Sequence, residues 1–326
     1  MGLMLSSKSG YSAPPSLVTV REETRECVKC TGNDSSDPGN PGSFQDIHKK
    51  VKDLYPQSFE GATLTVNRIL SNHFRVAHTL TLSSVVPSGY KFGAFYQGTT
   101  TIGKCERYPS LSCIVTPSGN QTIKFINTLG CRYRLTLEGQ IADRKYKAWS
   151  STVDYRSDNC TLSMRLDNSS LLDLNGTLVV HFLQAVSSGL ALGAEMACHR
   201  DPTSAGHKTI VCGAARYSTG PLTISSTLGE LGAHVCCHRR ASEDLQIGAE
   251  IDVNLRTHES QGTLVYQLNV PRADLIFRGM IDSECTVSGV LDKKLSSAIE
   301  STLSISGTLN HRKGHFRVGV GLNVGL

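Results

Sequence analysis

The chain of 326 residues has one tryptophan, five methionines and only 19% charged residues. Its mean hydropathy of −0.16 is too low for a bundle of membrane helices. The same figure leaves a membrane β-barrel open, because its strands dilute apolar residues with polar ones. A secretory signal is not read at the start: Leu3, Met4 and Leu5 give way at once to Ser6, Ser7 and Lys8. Glu22, Glu23 and Glu26 exclude an Arg-rich, acid-poor mitochondrial presequence. Without secretory entry the eleven scattered cysteines are expected to stay reduced rather than form a disulfide framework. Metal-ligand spacing is also lacking. Cys27 and Cys30 form one CxxC with no second pair at zinc-finger distance. Cys198 and His199, near His207 and Cys212, fall on strands where consecutive residues face opposite ways. No metal and no cofactor is therefore expected. The absence of a nucleophile elbow or phosphate loop reads against an enzyme. A net charge of +5, evenly spread, excludes nucleic acid as a partner.

What the chain does have is order in its polarity. Residues 1–40, rich in Ser, Gly, Pro and charge without an apolar period, read as a disordered tail. Residues 41–56 read as one amphipathic helix. Ser43 is placed to cap it, and Asp46 lies in its first turn. Phe44, Ile47, Val51, Leu54 and Tyr55 share a face, and Pro56 stops it. Everything from 57 to 326 alternates. Phe74, Val76, His78, Leu80 and Leu82 take one side of their strand, and Arg75, Ala77, Thr79 and Thr81 the other. Leu245, Ile247, Ala249, Ile251, Val253 and Leu255 oppose Gln246, Gly248, Glu250, Asp252 and Asn254 in the same way.

Nineteen such stretches are read, near 59–70, 74–82, 90–99, 110–115, 121–129, 131–140, 148–155, 160–166, 177–184 and 190–200. The others lie near 208–217, 221–228, 231–239, 245–255, 261–268, 274–281, 283–292, 297–309 and 315–324. Leu174 to Ala194 is uncharged and long enough to span a membrane as a helix, but Ser187-Ser188-Gly189 divides it as a turn between two strands. A soluble sandwich would need a second layer to cover the apolar faces, and one helix does not supply it. About 14 residues per strand with its turn suits the roughly 9–11 residues that cross hydrocarbon at a tilt. The expected fold is all-β: a transmembrane 19-stranded barrel with one N-terminal helix in its lumen. Strands 1 and 19 must then close in parallel, and a helix threading the lumen returns the N-terminal tail to the side where the chain ends.

Three blocks carry a family resemblance. Leu70-Ser-Asn-His-Phe-Arg-Val-Ala-His-Thr79, Tyr266-Gln-Leu-Asn-Val-Pro-Arg-Ala-Asp-Leu275 and Leu309-Asn-His-Arg-Lys313 resemble motifs of the channel-forming subunits of the translocase of the outer mitochondrial membrane. The stretch from Asn40 to Tyr55 is similar to that family's segment before its first strand. Cys285 stands where the family usually has Trp, and residues 100–145 match poorly, which marks a divergent copy. The resemblance implies a protein-conducting channel in the mitochondrial outer membrane, passing unfolded precursor proteins with basic presequences from the cytosol to the intermembrane space. It implies as partners the receptor and small helical subunits of that translocase and a second copy of the barrel, a homo-oligomer within the lipid bilayer. A small-metabolite porin of the voltage-dependent anion channel type shares the architecture and is the alternative.

Alternation assigns Glu138, Asp154, Glu195, Glu250, Asp252, Asp274 and Asp282 to the water-filled side, because carboxylates on a lipid-facing row are costly. They form a candidate acidic path for basic presequences, or simply pair with lumen bases such as Arg134, Arg156 and Arg278. Arg317, Gly319, Leu322 and Val324 fit the family's C-terminal sorting pattern, polar-x-Gly-x-x-apolar-x-apolar.

Overall fold

The computed structural model describes residues 39–85, 88–102, 106–142, 145–168, 176–200, 207–296 and 300–325. The stretch read as a disordered tail, 1–40, lies outside the described residues apart from Gly39 and Asn40. The first ten strands are β1 (Gly61–Ile69), β2 (Phe74–Leu82), β3 (Gly89–Ile102), β4 (Glu106–Val115), β5 (Gln121–Leu129), β6 (Tyr133–Ala142), β7 (Lys145–Arg156), β8 (Cys160–Asn168), β9 (Gly176–Ala185) and β10 (Leu190–Arg200). They are followed by β11 (His207–Thr219), β12 (Leu222–Gly229), β13 (Gly232–Arg240), β14 (Leu245–Asn254), β15 (Glu259–Val270), β16 (Leu275–Asp282), β17 (Thr286–Ser296), β18 (Ser301–Asn310) and β19 (His315–Gly325). Each corresponds to one of the nineteen stretches read from alternation. The described part of the uncharged run, from Gly176 on, forms β9 and β10 about the Ser187–Gly189 turn, and no described helix is long and apolar enough to cross a membrane.

Each strand pairs antiparallel with its neighbours, and the sheet closes by a parallel pairing of β1 with β19, from Gly61↔Gly319 to Asn67↔Gly325. An odd number of up-and-down strands leaves no other way to close. Closure matters because the bilayer core offers no water to an unpaired edge. Across the seam Asn67 Nδ2 donates to Asn323 Oδ1 at 2.8 Å.

The distribution of apolar side chains inverts that of a soluble protein. Large ones stand exposed on the outer wall, among them Leu80, Val211, Leu228 and Ile251, while buried ones gather around the segment that precedes β1. Parity fixes this: Leu64, Leu80 and Leu322 point outward, and Thr63, Thr65 and Thr79 inward. On the outer row, His78 Nδ1 lies 2.5 Å from the Tyr90 hydroxyl, which satisfies it where lipid could not.

The segment before β1 is less regular than the sequence suggests. In place of a continuous helix over 43–55 the chain forms a 3₁₀ turn at Phe44–Asp46 and a single α-turn, α1 (Lys49–Lys52). Ser43 makes no side-chain cap, and His48 breaks the helix at φ −99°, ψ 7°. The predicted apolar face survives the break: Phe44, Ile47, Val51 and Leu54 are all buried against the inner wall. Cys131, at the β5–β6 turn, is disulfide-bonded, contrary to the expectation of reduced thiols throughout, whereas seven other described cysteines are free.

The seam is buttressed from inside. Phe59 donates its backbone N–H to Ser306 Oγ at 3.0 Å and lays its ring beside Gly319 and Gly321 of β19. A Cβ at Gly319 would run into the Phe59 carbonyl and ring. Gly61, at φ +83°, lets the chain leave the lumen and enter β1 against the Leu82 carbonyl. Gly319→Val is therefore expected to destabilise the barrel by about 1–3 kcal/mol. Gly213→Ala, whose added Cβ meets nothing within 4 Å, should be near neutral. Thermal unfolding in detergent, followed by the heat-dependent gel shift of the folded barrel, separates the two; equal midpoints would contradict the buttress.

Candidate functional site in the lumen

The inner segment enters at the rim where β19 ends. Asn40 Nδ2 donates to the Ser157 carbonyl at 2.6 Å in the β7–β8 turn, and Arg216 Nη2 of β11 donates to the Pro41 carbonyl at 2.5 Å. Both termini of the described chain thus lie at one rim, as threading through the lumen requires. Phe44 and Ile47 then pack on Leu183, Ala191 and Ala214, with the Phe44 ring stacked 5.0 Å from His181. Val51 and Leu54 pack on Cys236 and Val265. Gly193 and Gly248 are the hollows that receive Phe44 and the Val51–Leu54 pair, since a Cβ at either would press on those side chains.

Polar contacts fix the register of this packing. His48 places Nδ1 2.8 Å from Ser225 Oγ and Nε2 2.7 Å from Thr227 Oγ1, two inward hydroxyls of β12. Lys50 donates to Thr223 Oγ1 at 2.8 Å, and the Tyr55 hydroxyl to Glu250 Oε2 at 2.6 Å. Sequence reasoning did not single out His48. The readable signal was its spacing of four from Phe44, which puts it on the same helical side as the buried residues.

The seven predicted acidic residues meet different fates. Glu138, on β6, forms an ion pair with Lys124 of β5 at 2.6 Å and is half-exposed to the lumen. Asp154 stands on β7 opposite Arg134 and Ser163 in the register. Glu195, on β10, faces His181 Nε2 at 3.1 Å. Glu250 is held beneath the inner segment by Tyr55 and by His234 Nε2 at 2.7 Å. Asp252 lies opposite His234 and Gln261, and Gln261 donates to Asp282 at 2.7 Å, so Asp252 and Asp282 share the rim at which β1 begins. Asp274 is not on a strand. Pro271–Ala273 form a 3₁₀ turn that ends on Asp274 in the left-handed region at φ 49°, at the opposite rim. Of the bases named beside them, Arg278 pairs with Asp292 at 3.0 Å and with none of the seven. These carboxylates do not form one continuous track: Asp252 and Asp282 lie on β14 and β16 at one rim with β15 between them, Asp154 lies near the other rim, and Glu138, Glu195 and Glu250 are engaged in between.

In β19 the four positions of the sorting pattern divide by face. Arg317 and Gly319 point inward, Arg317 towards Glu60 at 3.6 Å and Gly319 beneath Phe59. Leu322 and Val324 stand on the outward row, in register with Leu64 and Val66. Of the residues weighed as metal ligands, Cys198 approaches Thr209 Oγ1 at 3.6 Å and His199 Nδ1 lies 2.9 Å from Thr177 Oγ1, on the two opposite faces of β10. His207 lies at the edge of the described residues.

The inner segment is held to the wall mainly by apolar burial, so charge placed there should release it. An unpaired carboxylate in such a cluster costs several kcal/mol, against about 1.5–3 kcal/mol contributed by each buried Val or Leu. Val51→Asp with Leu54→Asp is expected to speed protease cleavage within residues 44–55 at least tenfold while the barrel stays folded. Limited proteolysis read by mass spectrometry checks this, and an unchanged rate would contradict the packing.

Comparison with known proteins agrees with this architecture. Residues 40–319 match the family model described as eukaryotic porin. The chain is 39% identical to the mitochondrial import receptor subunit TOM40 homolog 2 of Drosophila melanogaster, over 99% of this chain and 94% of that one. It is 37% identical to the mitochondrial import receptor subunit TOM40 homolog of Xenopus tropicalis, over 88% of this chain and 84% of the relative. The human protein of that name is also 37% identical, over 88% and 78% of the two chains.

Proposed function

This chain belongs to the eukaryotic porin family, among its TOM40 homologues, and on that premise we propose that it is a protein-conducting channel of the mitochondrial outer membrane. It acts by conduction rather than catalysis, passing unfolded precursor chains from the cytosol to the intermembrane space. The observation that carries this reading is likeness to import receptor subunits along nearly the whole barrel. The metabolite-porin alternative shares the wall and the porin family model, and the named relatives favour the import reading over it. A barrel of about 16–18 strands or more encloses an aqueous channel, and a segment held along one side leaves room for an extended chain.

Precursor recognition in this proposal is electrostatic and weak. Basic presequences are drawn to carboxylates that low-dielectric walls focus into the lumen. Asp252 and Asp282, on β14 and β16 at one rim with Gln261 of β15 between them, are the first candidates, with Asp154 near the other. Glu138, Glu195 and Glu250 are already partnered, and in this scheme they shape the wall rather than capture cargo. The outward residues Leu322 and Val324 with inward Arg317 and Gly319 serve as the sorting signal of the last strand. The assigned partners are the receptor and small helical subunits of the translocase and a second copy of the barrel, all meeting the lipid-facing wall or its rims.

Asp252→Asn combined with Asp282→Asn should weaken single-channel block by a basic presequence peptide several-fold at low salt. The difference should vanish at high salt, where exposed charges are screened beyond a few ångströms. Block unchanged at low salt would overturn the rim pair as a capture site. Native electrophoresis of the imported protein tests the broader reading: migration in a large complex with a receptor subunit supports it, and migration as a free barrel counts against it.

A further inference from the structure

Beneath α1 the inner segment and the wall bring together a set of side chains that conduction does not require. We propose that His48, His234 and Cys236, with Glu250 as fourth ligand, form a zinc site that ties the inner segment to the barrel wall. The ligand atoms of the first three all lie within 4.8 Å of one another. His234 Nε2 is 3.5 Å from Cys236 Sγ and 2.7 Å from Glu250 Oε1. Tetrahedral zinc with bonds of about 2.0–2.3 Å spaces neighbouring ligand atoms roughly 3.3–3.8 Å apart, so only small side-chain adjustments separate this cluster from that geometry.

The backbone arranges the set. His234 and Cys236 stand two apart on β13 and therefore share its inward face. Glu250 lies opposite Cys236 in the β13–β14 register. His48 arrives from the segment at the break that separates the 3₁₀ turn from α1. A thiolate, two imidazoles and a carboxylate suit zinc, whereas calcium and magnesium prefer an all-oxygen set.

The surroundings fit a held ion. One His48 nitrogen exchanges its hydroxyl for the metal while the other keeps Ser225 or Thr227, which fixes the ring. The Tyr55 hydroxyl orients the Glu250 carboxylate at 2.6 Å. Cys236 is fully buried among Val51, Leu54 and Val265. The Lys52 ammonium acts on His48, Cys236 and Glu250 and opposes a cation, an effect offset by the two negative charges of the ligand set. On binding, the thiol proton leaves to solvent and a zinc–sulfur bond forms, with nothing oxidised. The ion then cross-links residue 48 to β13 and β14 and restrains the segment from leaving the lumen. This inference stands apart from the import reading, since it concerns how the segment is anchored.

The test uses the full chain, reduced and stripped with chelator in detergent, with Cys27→Ser and Cys30→Ser to remove the CxxC. Cobalt(II) alone is the probe, and zinc the competitor. One equivalent of cobalt should give a thiolate charge-transfer band and tetrahedral visible bands that zinc displaces. Cys236→Ser should abolish the charge-transfer band, and Cys237→Ser, on the outward face of the same strand, should keep it. His234→Gln should weaken zinc binding at least tenfold, and it keeps the test open if the Cys236 variant fails to fold. Zinc should also slow cleavage within residues 44–55 in the parent chain and not in Cys236→Ser. No charge-transfer band in the parent chain, or a band that persists without Cys236, would overturn the site.

Discussion

Hydrocarbon offers a backbone nothing to bond with, and each unsatisfied N–H or C=O left there costs several kcal/mol. The rest of the molecule follows from meeting that constraint with nineteen strands. Because the number is odd, the first and last strands can close the wall only in parallel, as Gly61↔Gly319 through Asn67↔Gly325 do. Parallel closure sets the start of β1 and the end of β19 at opposite rims. The chain before β1 must then either stay at its own rim or pass through the barrel. It passes through, and the glycines at 61 and 319 are where that route comes too close to the wall for a side chain.

The dry core of the molecule is consequently small and in an unusual place. It lies between the inner segment and the strands from β9 to β15, where Phe44 and Ile47 meet Leu183 and Ala214, and Val51 and Leu54 meet Cys236 and Val265. Elsewhere apolar side chains face lipid and polar ones face water. The segment is held by a narrow apolar stripe and by a few hydrogen bonds from His48, Lys50 and Tyr55.

The wall was legible in the sequence because a two-residue period needs no knowledge of partners: inward and outward rows follow from parity alone. The same parity put Glu138, Glu195 and Glu250 on the water side but could not show what they bond to. Glu250 meets Tyr55, 195 positions away, and only the closed barrel brings them together. The helix was legible in its apolar face and not in its continuity. His48 leaves helical geometry to reach hydroxyls on β12, a tertiary demand that overrides local preference. Asp274 was misplaced on a strand although Pro271 announces a turn three residues earlier. The cluster of His48, His234 and Cys236 has no spacing signature, since one member belongs to the segment and two to β13.

One wall divides lipid from water residue by residue, and everything inside it depends on that division. Single cysteines placed along β14 from 246 to 253, in a cysteine-free background reconstituted in liposomes, test it directly. Positions 246 and 252 should react with a water-soluble maleimide, 248 and 250 should be shielded from it by the inner segment, and odd positions, labelled with a fluorophore, should be quenched by probes in the acyl chains. Lipid quenching confined to the odd positions, with maleimide reaction at 246 and 252, is the predicted result. Uniform labelling along the strand, or lipid quenching at positions 250 and 252, would contradict it.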